Sequence, residues 1–420
     1  MLVEFKVTNF RSLRDAQTFT FPAGPGREQE ETHCFDSGVK AVPRLLRSAV
    51  IYGPNAGGKS NLLRAIDFMR LMVLTSATTV REGETLNVMP FAFVKANADA
   101  PSEFEATFVS DEVRYQFGFA ATKQRVMHEW LFAFPRNKKQ RWYERQYDAN
   151  TNKESWDWGP SLLGRKEIWR DATRSNALFL STAIQLNNEQ LRPVFNWFSE
   201  KLAVILPNAL ILPQWTLDQC KDSSGKDRVL ELLNAADLSI DDIEIELKKG
   251  QHISVTFDTA KGVQTQVTPD HDVQIIKFRH KANQDGDSTL LDAGDESTGT
   301  QRLFALAGPW LDVLAKGRVL FVDELDNSLH PLIVRFLIGL FHDPSANKGN
   351  AQLVVATHDT SLLDAELYRR DQIWFIEKDE HNASHLYPLT DFSPRKEEAL
   401  EKGYLKGRYG ALPFLGEVRI

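Results

Sequence analysis

The chain of 420 residues carries a formal net charge of -7 and is 42% hydrophobic, so it can bury a substantial core in two or three domains or one elaborated domain. Its acidic balance excludes a protein that coats nucleic acid through its average field and leaves any DNA contact to a local basic groove. Two cysteines, Cys34 and Cys220, exclude a disulfide framework or a zinc site, and no run approaches the roughly 20 apolar residues that would span a bilayer.

The amino terminus, LVEFKVT at 2–8, alternates apolar and polar residues and reads as a strand, not as a signal peptide. With the sparse cysteines it predicts a cytoplasmic protein. A second strand, SAVIY at 48–52, is closed by glycine, and from Ser60 onward Leu62, Leu63, Ile66, Met69 and Leu71 recur at helical spacing. Between about 86 and 147 the pattern turns to strands, EFEATFV, VRYQFGFA and VMHEWLFAF, a β-lobe. Helical periodicity returns over 165–203, clearest at Leu191, Val194, Phe195, Phe198 and Leu202, with Asn187 and Gln190 placed as a capping box. A shorter helix near 226–236 is followed by strands IEIELK, HISVTFD and VQIIKFR between 243 and 280, and by a polar loop, NQDGDS, at 283–288. Then come a helix from about 298, the strand VLFVDE at 319–324, a helix near 331–342 and the strand QLVVATH at 352–358.

Four segments carry chemistry. GPNAGGKS at 53–60 fits the pattern G-x-x-x-x-G-K-[ST] between a strand and a helix. Glycines at 53, 57 and 58 let backbone N–H groups wrap phosphate oxygens, Lys59 reaches the β- and γ-phosphates, and the Ser60 hydroxyl suits Mg²⁺. VLFVDE ends a buried strand in Asp323, expected to hold Mg²⁺ through its water shell, and Glu324, expected to polarise the water that attacks the γ-phosphate. His358, 35 residues after Asp323 and again just past an apolar strand, suits a hydrogen bond to the γ-phosphate or that water. ESTGTQRLF at 296–304 opens a helix with Ser297, Thr298, Gly299 and Thr300. Thr298 and Gln301 fit a capping box, and the same helix start offers an anion site that no phosphate of its own chain fills.

In this order, P-loop, long insertion, serine–glycine signature, VLFVDELD and ATHD, together with the opening VEFKVTNFRSL, the chain resembles the ABC-type ATPase heads of the structural-maintenance-of-chromosomes, RecF and overcoming-lysogenization-defect groups. GPNAGGKSN, DELDNSLHP and the tail YLKGRYGALP bring it nearer to the compact AAA15- and AAA21-type ATPases of abortive-infection, Rlo-type and PARIS-type anti-phage systems. The resemblance implies an α/β fold: a head with a mixed β-sheet core and β-lobe, comprising 1–75 and 290–420, split by an insertion at 76–289. The insertion would hold the β-lobe at about 86–147, a helical part at about 161–236 and β segments at about 243–281.

The resemblance also implies ATP and Mg²⁺ held by Gly53, Asn55, Gly57, Gly58, Lys59, Ser60 and Asn61, with Ser297 and Gly299 of a second copy closing on the nucleotide in a head-to-tail homodimer. Asp326 would couple the two sites, Arg11 would lie near the nucleotide, and Gln185 would report on the metal. The signature reads STGT, not the transporter form, and heptads for long arms are lacking. Only 62 residues follow His358, too few for an appended nuclease. The expected role is therefore a sensor or scaffold, set off by DNA or a phage-derived trigger, that controls a separate nuclease or toxin encoded nearby. A RecF-like DNA-clamping ATPase is the alternative. The tail reads either as a partner contact or as an edge packed on the head.

Overall fold

A computed structural model describes residues 1–207, 213–258, 262–281, 288–393 and 399–413. In chain order its strands are β1 (Leu2–Thr8), β2 (Gln17–Thr20), β3 (Cys34–Asp36), β4 (Arg44–Leu46), β5 (Ser48–Tyr52), β6 (Ser102–Ser110), β7 (Val113–Ala121), β8 (Val126–Phe134), β9 (Gln140–Asp148), β10 (Lys153–Trp158), β11 (Leu202–Ile205), β12 (Ile240–Asp258), β13 (Gly262–Lys281), β14 (Ser288–Asp292), β15 (Val319–Asp323), β16 (Gln352–Thr357), β17 (Ile373–Lys378) and β18 (Ser384–Pro388). The chain divides into two compact units. The first is Met1–Ala209, Val313–Asn327 and Val334–Ile420; the second is Leu210–Asp312 with Ser328–Ile333.

The first unit contains a six-stranded sheet in the order β11-β15-β16-β5-β17-β18. Its first five strands run parallel and β18 is antiparallel. SAVIY, VLFVD and QLVVAT are buried along their whole length, as strands covered on both faces must be, and that is why they are continuous apolar runs. The second sheet is antiparallel, β10-β9-β8-β7-β6-β1-β2. The N-terminal strand therefore shares a sheet with the β-lobe, which extends to Trp158.

The helix Lys59–Thr75, here the P-loop helix, buries Leu62, Leu63, Ile66, Met69, Met72 and Val73. These join one continuous core with Phe5 and Phe104 of the antiparallel sheet and Phe321 of the parallel one. Each such side chain contributes roughly 1.5–3 kcal/mol on leaving water. Leu71, expected on this face, is 44% exposed; its neighbours Met72 and Val73 fill the stripe instead. Gln352 stitches the two sheets together, accepting from Leu2 N at 2.6 Å and donating to the Leu2 and Leu46 carbonyls at 3.1 and 3.2 Å.

The long helix expected over 165–203 is broken into Lys166–Ala172, Phe179–Gln185 and Arg192–Asn196, then a π-helical turn, Trp197–Lys201, that ends where Leu202 starts β11. The N-cap of Arg192–Asn196 is Leu191, whose N–H donates to Asn188 Oδ1 at 2.9 Å. Asn187 takes a left-handed φ of 60°, and Gln190 is spent on Ser161 O and Leu163 N. Polar anchors from the β-lobe set these breaks. Glu129 of β8, fully buried, accepts from Phe179 N at 2.7 Å, Leu180 N at 3.0 Å and Tyr143 Oη at 2.9 Å. Arg145 of β9 donates to the Ala177 and Arg174 carbonyls at 2.8 and 3.3 Å.

In the second unit, β12 and β13 form one long hairpin with a register shift between Gly250 and His252, and β14 pairs with β13. The strands IEIELK and HISVTFD are thus parts of a single strand. Residues 283–287 of the expected polar loop lie outside the described residues.

Candidate functional site

Register alone assembles the site. Thr357 pairs with Tyr52 and Asp323 with Ala356, so the carboxyl ends of β5, β15 and β16 form one edge of the parallel sheet, where ligands bind in such sheets. The P-loop follows β5, Asp323 ends β15 with Glu324 just past it, and His358 follows β16.

The loop's glycines are required by its walls. A Cβ at Gly53 would lie 2.1 Å from Ile376 O, and Gly58 has φ 122° with the Ser384 hydroxyl 2.3 Å from where its Cβ would be. Ser384 Oγ also donates to Gly57 O at 2.7 Å and lies within hydrogen-bond distance of Ser12 Oγ at 2.8 Å, and Asn61 Nδ2 donates to Ser12 Oγ at 2.8 Å. Asn61 therefore braces the loop through Ser12, while Asn55 is exposed at the tip. Lys59 Nζ donates to the Gly53 and Pro54 carbonyls at 2.6 and 3.2 Å. Burial lowers the Lys59 pKa, against the pull of Asp323, Asp326 and Glu324, all of which lie within electrostatic reach of the ammonium.

Asp323 is 1% exposed, and both carboxylate oxygens are buried without a hydrogen-bond partner. Burial raises its pKa against the Ser60 hydroxyl, Lys59 and Arg64, while Glu324 pushes it the same way. An unpaired buried carboxylate costs several kcal/mol. A hydrated Mg²⁺ shared with phosphate would satisfy it, and one carboxylate beside one hydroxyl is a donor set such an ion accepts. Among the described residues no group of three or more His, Cys, Asp or Glu side chains could hold a metal by itself.

Glu324, half-buried, has a left-handed φ of 51°, and its N–H donates to Ala356 O at 2.9 Å. That conformation is costly for a side chain with a Cβ and is held by the sheet edge. Asp326 Oδ1 accepts from Thr357 Oγ1 at 2.7 Å, and its Oδ2 lies 3.6 Å from the exposed His358 Nε2. The structure thus brings Lys59, Ser60, Asp323, Glu324, Asp326 and His358 together.

Arg11, in a left-handed φ of 53°, donates its N–H to Met89 O at 2.7 Å and keeps a buried Nε without a partner. Gln185 is exposed at the end of its helix. That helix is held at the distal half of the P-loop helix, with Ser181 Oγ donating to Val73 O at 2.6 Å, and no side-chain hydrogen bond joins Gln185 to the loop. Ser297 and Gly299 belong to the second unit. Ser297, not Thr298, is the cap there: its Oγ accepts from Thr300 N at 3.1 Å, and Gln301 reaches the Glu296 carbonyl at 2.8 Å. A Cβ on Gly299 would come within 2.9 Å of Ser328 O.

Sequence reading did not select Ser12, Ser384 or Arg64. The tail is an edge packed on β17: Tyr404 and Tyr409 are buried, stack on Phe375 at 5.6 and 5.7 Å, and Ala411 N donates to Glu377 at 2.6 Å.

Two solved structures similar to this chain are an SMC head domain from Thermotoga maritima and an SmcHead bound to the C-winged helix domain of ScpA. The first is 13% identical with a TM-score of 0.40, covering 92% of this chain and 98% of that one. The second is 13% identical with a TM-score of 0.43, covering 92% and 96%. No curated protein matches the sequence. The model of the family described as "AAA domain, putative AbiEii toxin, Type IV TA system" matches residues 48–364. That span runs from β5 past His358 and takes in every motif of the sheet edge, so the chain belongs to this AAA-domain family.

Proposed function

We propose that the chain binds Mg²⁺-ATP at Gly53–Ser60 and hydrolyses it in a head-to-tail homodimer. The observation that carries this reading is the buried, partnerless carboxylate of Asp323 beside Ser60 and Lys59. Bound there, Mg²⁺ would neutralise charge on the β- and γ-phosphates. Lys59 turns from its loop carbonyls to the phosphates. Glu324 orients a water in line with the γ-phosphate and takes its proton, and His358, held over Asp326, donates to the developing charge. Ser297 and Gly299 of the second copy present a helix start to the same γ-phosphate.

Closure of the pair would then hold or release a separate nuclease or toxin in prokaryotic anti-phage defence. The family's description as a putative AbiEii toxin of a type IV toxin–antitoxin system supports that setting. Glu324→Gln tests the chemistry: ATP stays bound while phosphate release falls by roughly 10²–10⁴-fold. Undiminished release would remove Glu324 from the mechanism. Pull-down from the native gene context tests the effector, and recovery of no nuclease or toxin counts against it.

A further inference from the structure

The tail YLKGRYGALP takes no part in the chemistry proposed for the sheet edge, yet the tail segment meets that edge at two points. The first is the root of the P-loop. Tyr404, in the helix Leu400–Leu405, sets its ring 6.0 Å from that of Tyr52, the last residue of β5, and 5.6 Å from that of Phe375. Its hydroxyl donates to Ala411 O at 2.8 Å, Ala411 N donates to Glu377 of β17, and Tyr387 of β18 donates through Oη to Tyr409 O at 3.0 Å. Six residues alone would not hold a helix in water; buried rings and paired backbone groups fix this one to β17 and β18.

The second point is the loop of His358. Glu401, in the same helix, accepts through Oε1 from Thr360 Oγ1 at 2.9 Å, two residues beyond the histidine. A hydroxyl bound to a carboxylate is stronger than a neutral pair. Before the histidine the loop is tied to Asp326: Thr357 Oγ1 donates to Asp326 Oδ1 at 2.7 Å and accepts from Asp359 N at 2.9 Å. Further along, Leu362 is buried and Arg335 reaches Ser361 O at 3.4 Å, a long contact. The His358 side chain is 60% exposed, and its Nε2 lies 3.6 Å from Asp326 Oδ2. That separation is longer than a hydrogen bond, so the backbone on either side sets where the ring stands. Thr357 and Asp326 hold one side, and Glu401 holds the other. All of these groups belong to the first unit.

We infer that Glu401 is a positioning residue: from the tail helix it holds Thr360, and through Thr360 it aims the His358 loop at the γ-phosphate. The inference rests on the proposed role of His358 and adds the device that sets the ring.

Full-length protein is assayed for ATP turnover as wild type, His358→Ala, Glu401→Ala, Glu401→Gln and Thr360→Val, with the ligand-free melting temperature of each. Glu401→Ala and Thr360→Val should each lower kcat by roughly 10- to 100-fold and leave KM for ATP unchanged, because the P-loop is untouched. Glu401→Gln, whose amide oxygen still accepts from Thr360, should keep most of the wild-type rate. The deciding readout is dependence on the histidine. In a His358→Ala background, Glu401→Ala should cost no further rate, since a residue that acts through the imidazole has nothing left to aim. A tail that only stabilises the head would lower the melting temperature and slow turnover equally with or without His358, and that result overturns the inference. A Glu401→Gln as slow as Glu401→Ala also overturns it, because charge and not the bond to Thr360 would then matter. Should Glu401→Ala not fold, Thr360→Val keeps the β-branched shape and carries the same comparison. A slow His358→Ala beside an undiminished Glu401→Ala or Thr360→Val removes the inference alone; an undiminished His358→Ala removes the histidine from the mechanism and the inference with it.

Discussion

His33 and His342 stack ring on ring with centroids 3.9 Å apart, both buried. His342 Nε2 is 2.7 Å from Ser48 Oγ at the start of β5, and His33 Nε2 is 3.1 Å from Leu367 O. Burial lowers both pKa values; Arg47 and the neighbouring ring lower His342 further, and around His33 Arg369 lowers while Asp371 raises. With folded values below the ordinary imidazole value of 6.5, the unfolded chain takes up protons that the folded chain refuses. Stability is therefore full above that value and declines as pH falls below it, by about 1.4 kcal/mol per pH unit for each proton withheld. Urea midpoints between about pH 7.5 and about pH 5.5 should show the decline, and His342→Gln should flatten it. A flat wild-type profile would remove the pair from the linkage. Neither histidine is legible in the sequence, because nothing local joins residue 33 to residue 342. Lys59, Ser60 and Asp323 are legible, because their spacing to strand ends is itself the signal.

Elements divide in the same way. The strands of the parallel sheet read directly, since burial on both faces leaves apolar runs such as VLFVD. IWFI at 373–376 is such a run, yet its place beside β5 is not readable, because strand order is a long-range property. The region 165–203 misleads for a related reason: its helical period is real, but Glu129 and Arg145 of the β-lobe fix where the chain must break. Each anchors groups that would otherwise be left unpaired in the interior. Glu129→Ala leaves two helix N–H groups and the Tyr143 hydroxyl without their acceptor, and should cost about 3–5 kcal/mol in chemical denaturation. Glu129→Gln, which can still accept, should cost less. Equal losses would mean that shape, not charge, holds the segment.

For the whole molecule, the central expectation is that one working site is made by two chains. Ser297→Arg leaves the P-loop of its own chain intact, and Lys59→Ala leaves the signature intact. Each alone should be inactive. Mixed in equal amounts, half of the pairs contain one good site, so turnover should return to roughly a quarter of the wild-type rate for a symmetric dimer. A mixture that stays inactive would exclude the shared site. The walls of the P-loop carry a different implication. Ile376 crowds Gly53, and Ser384, 327 residues beyond Gly57, bonds to its carbonyl. The grip on a nucleotide is thus finished by β17 and β18, which follow the loop far along the chain. Until those strands dock, GPNAGGKS lacks the walls that Ile376 and Ser384 supply. Nucleotide occupancy then reports that β17 and β18 have docked, and on the proposed mechanism a copy in which they have not has nothing with which to lock onto its twin.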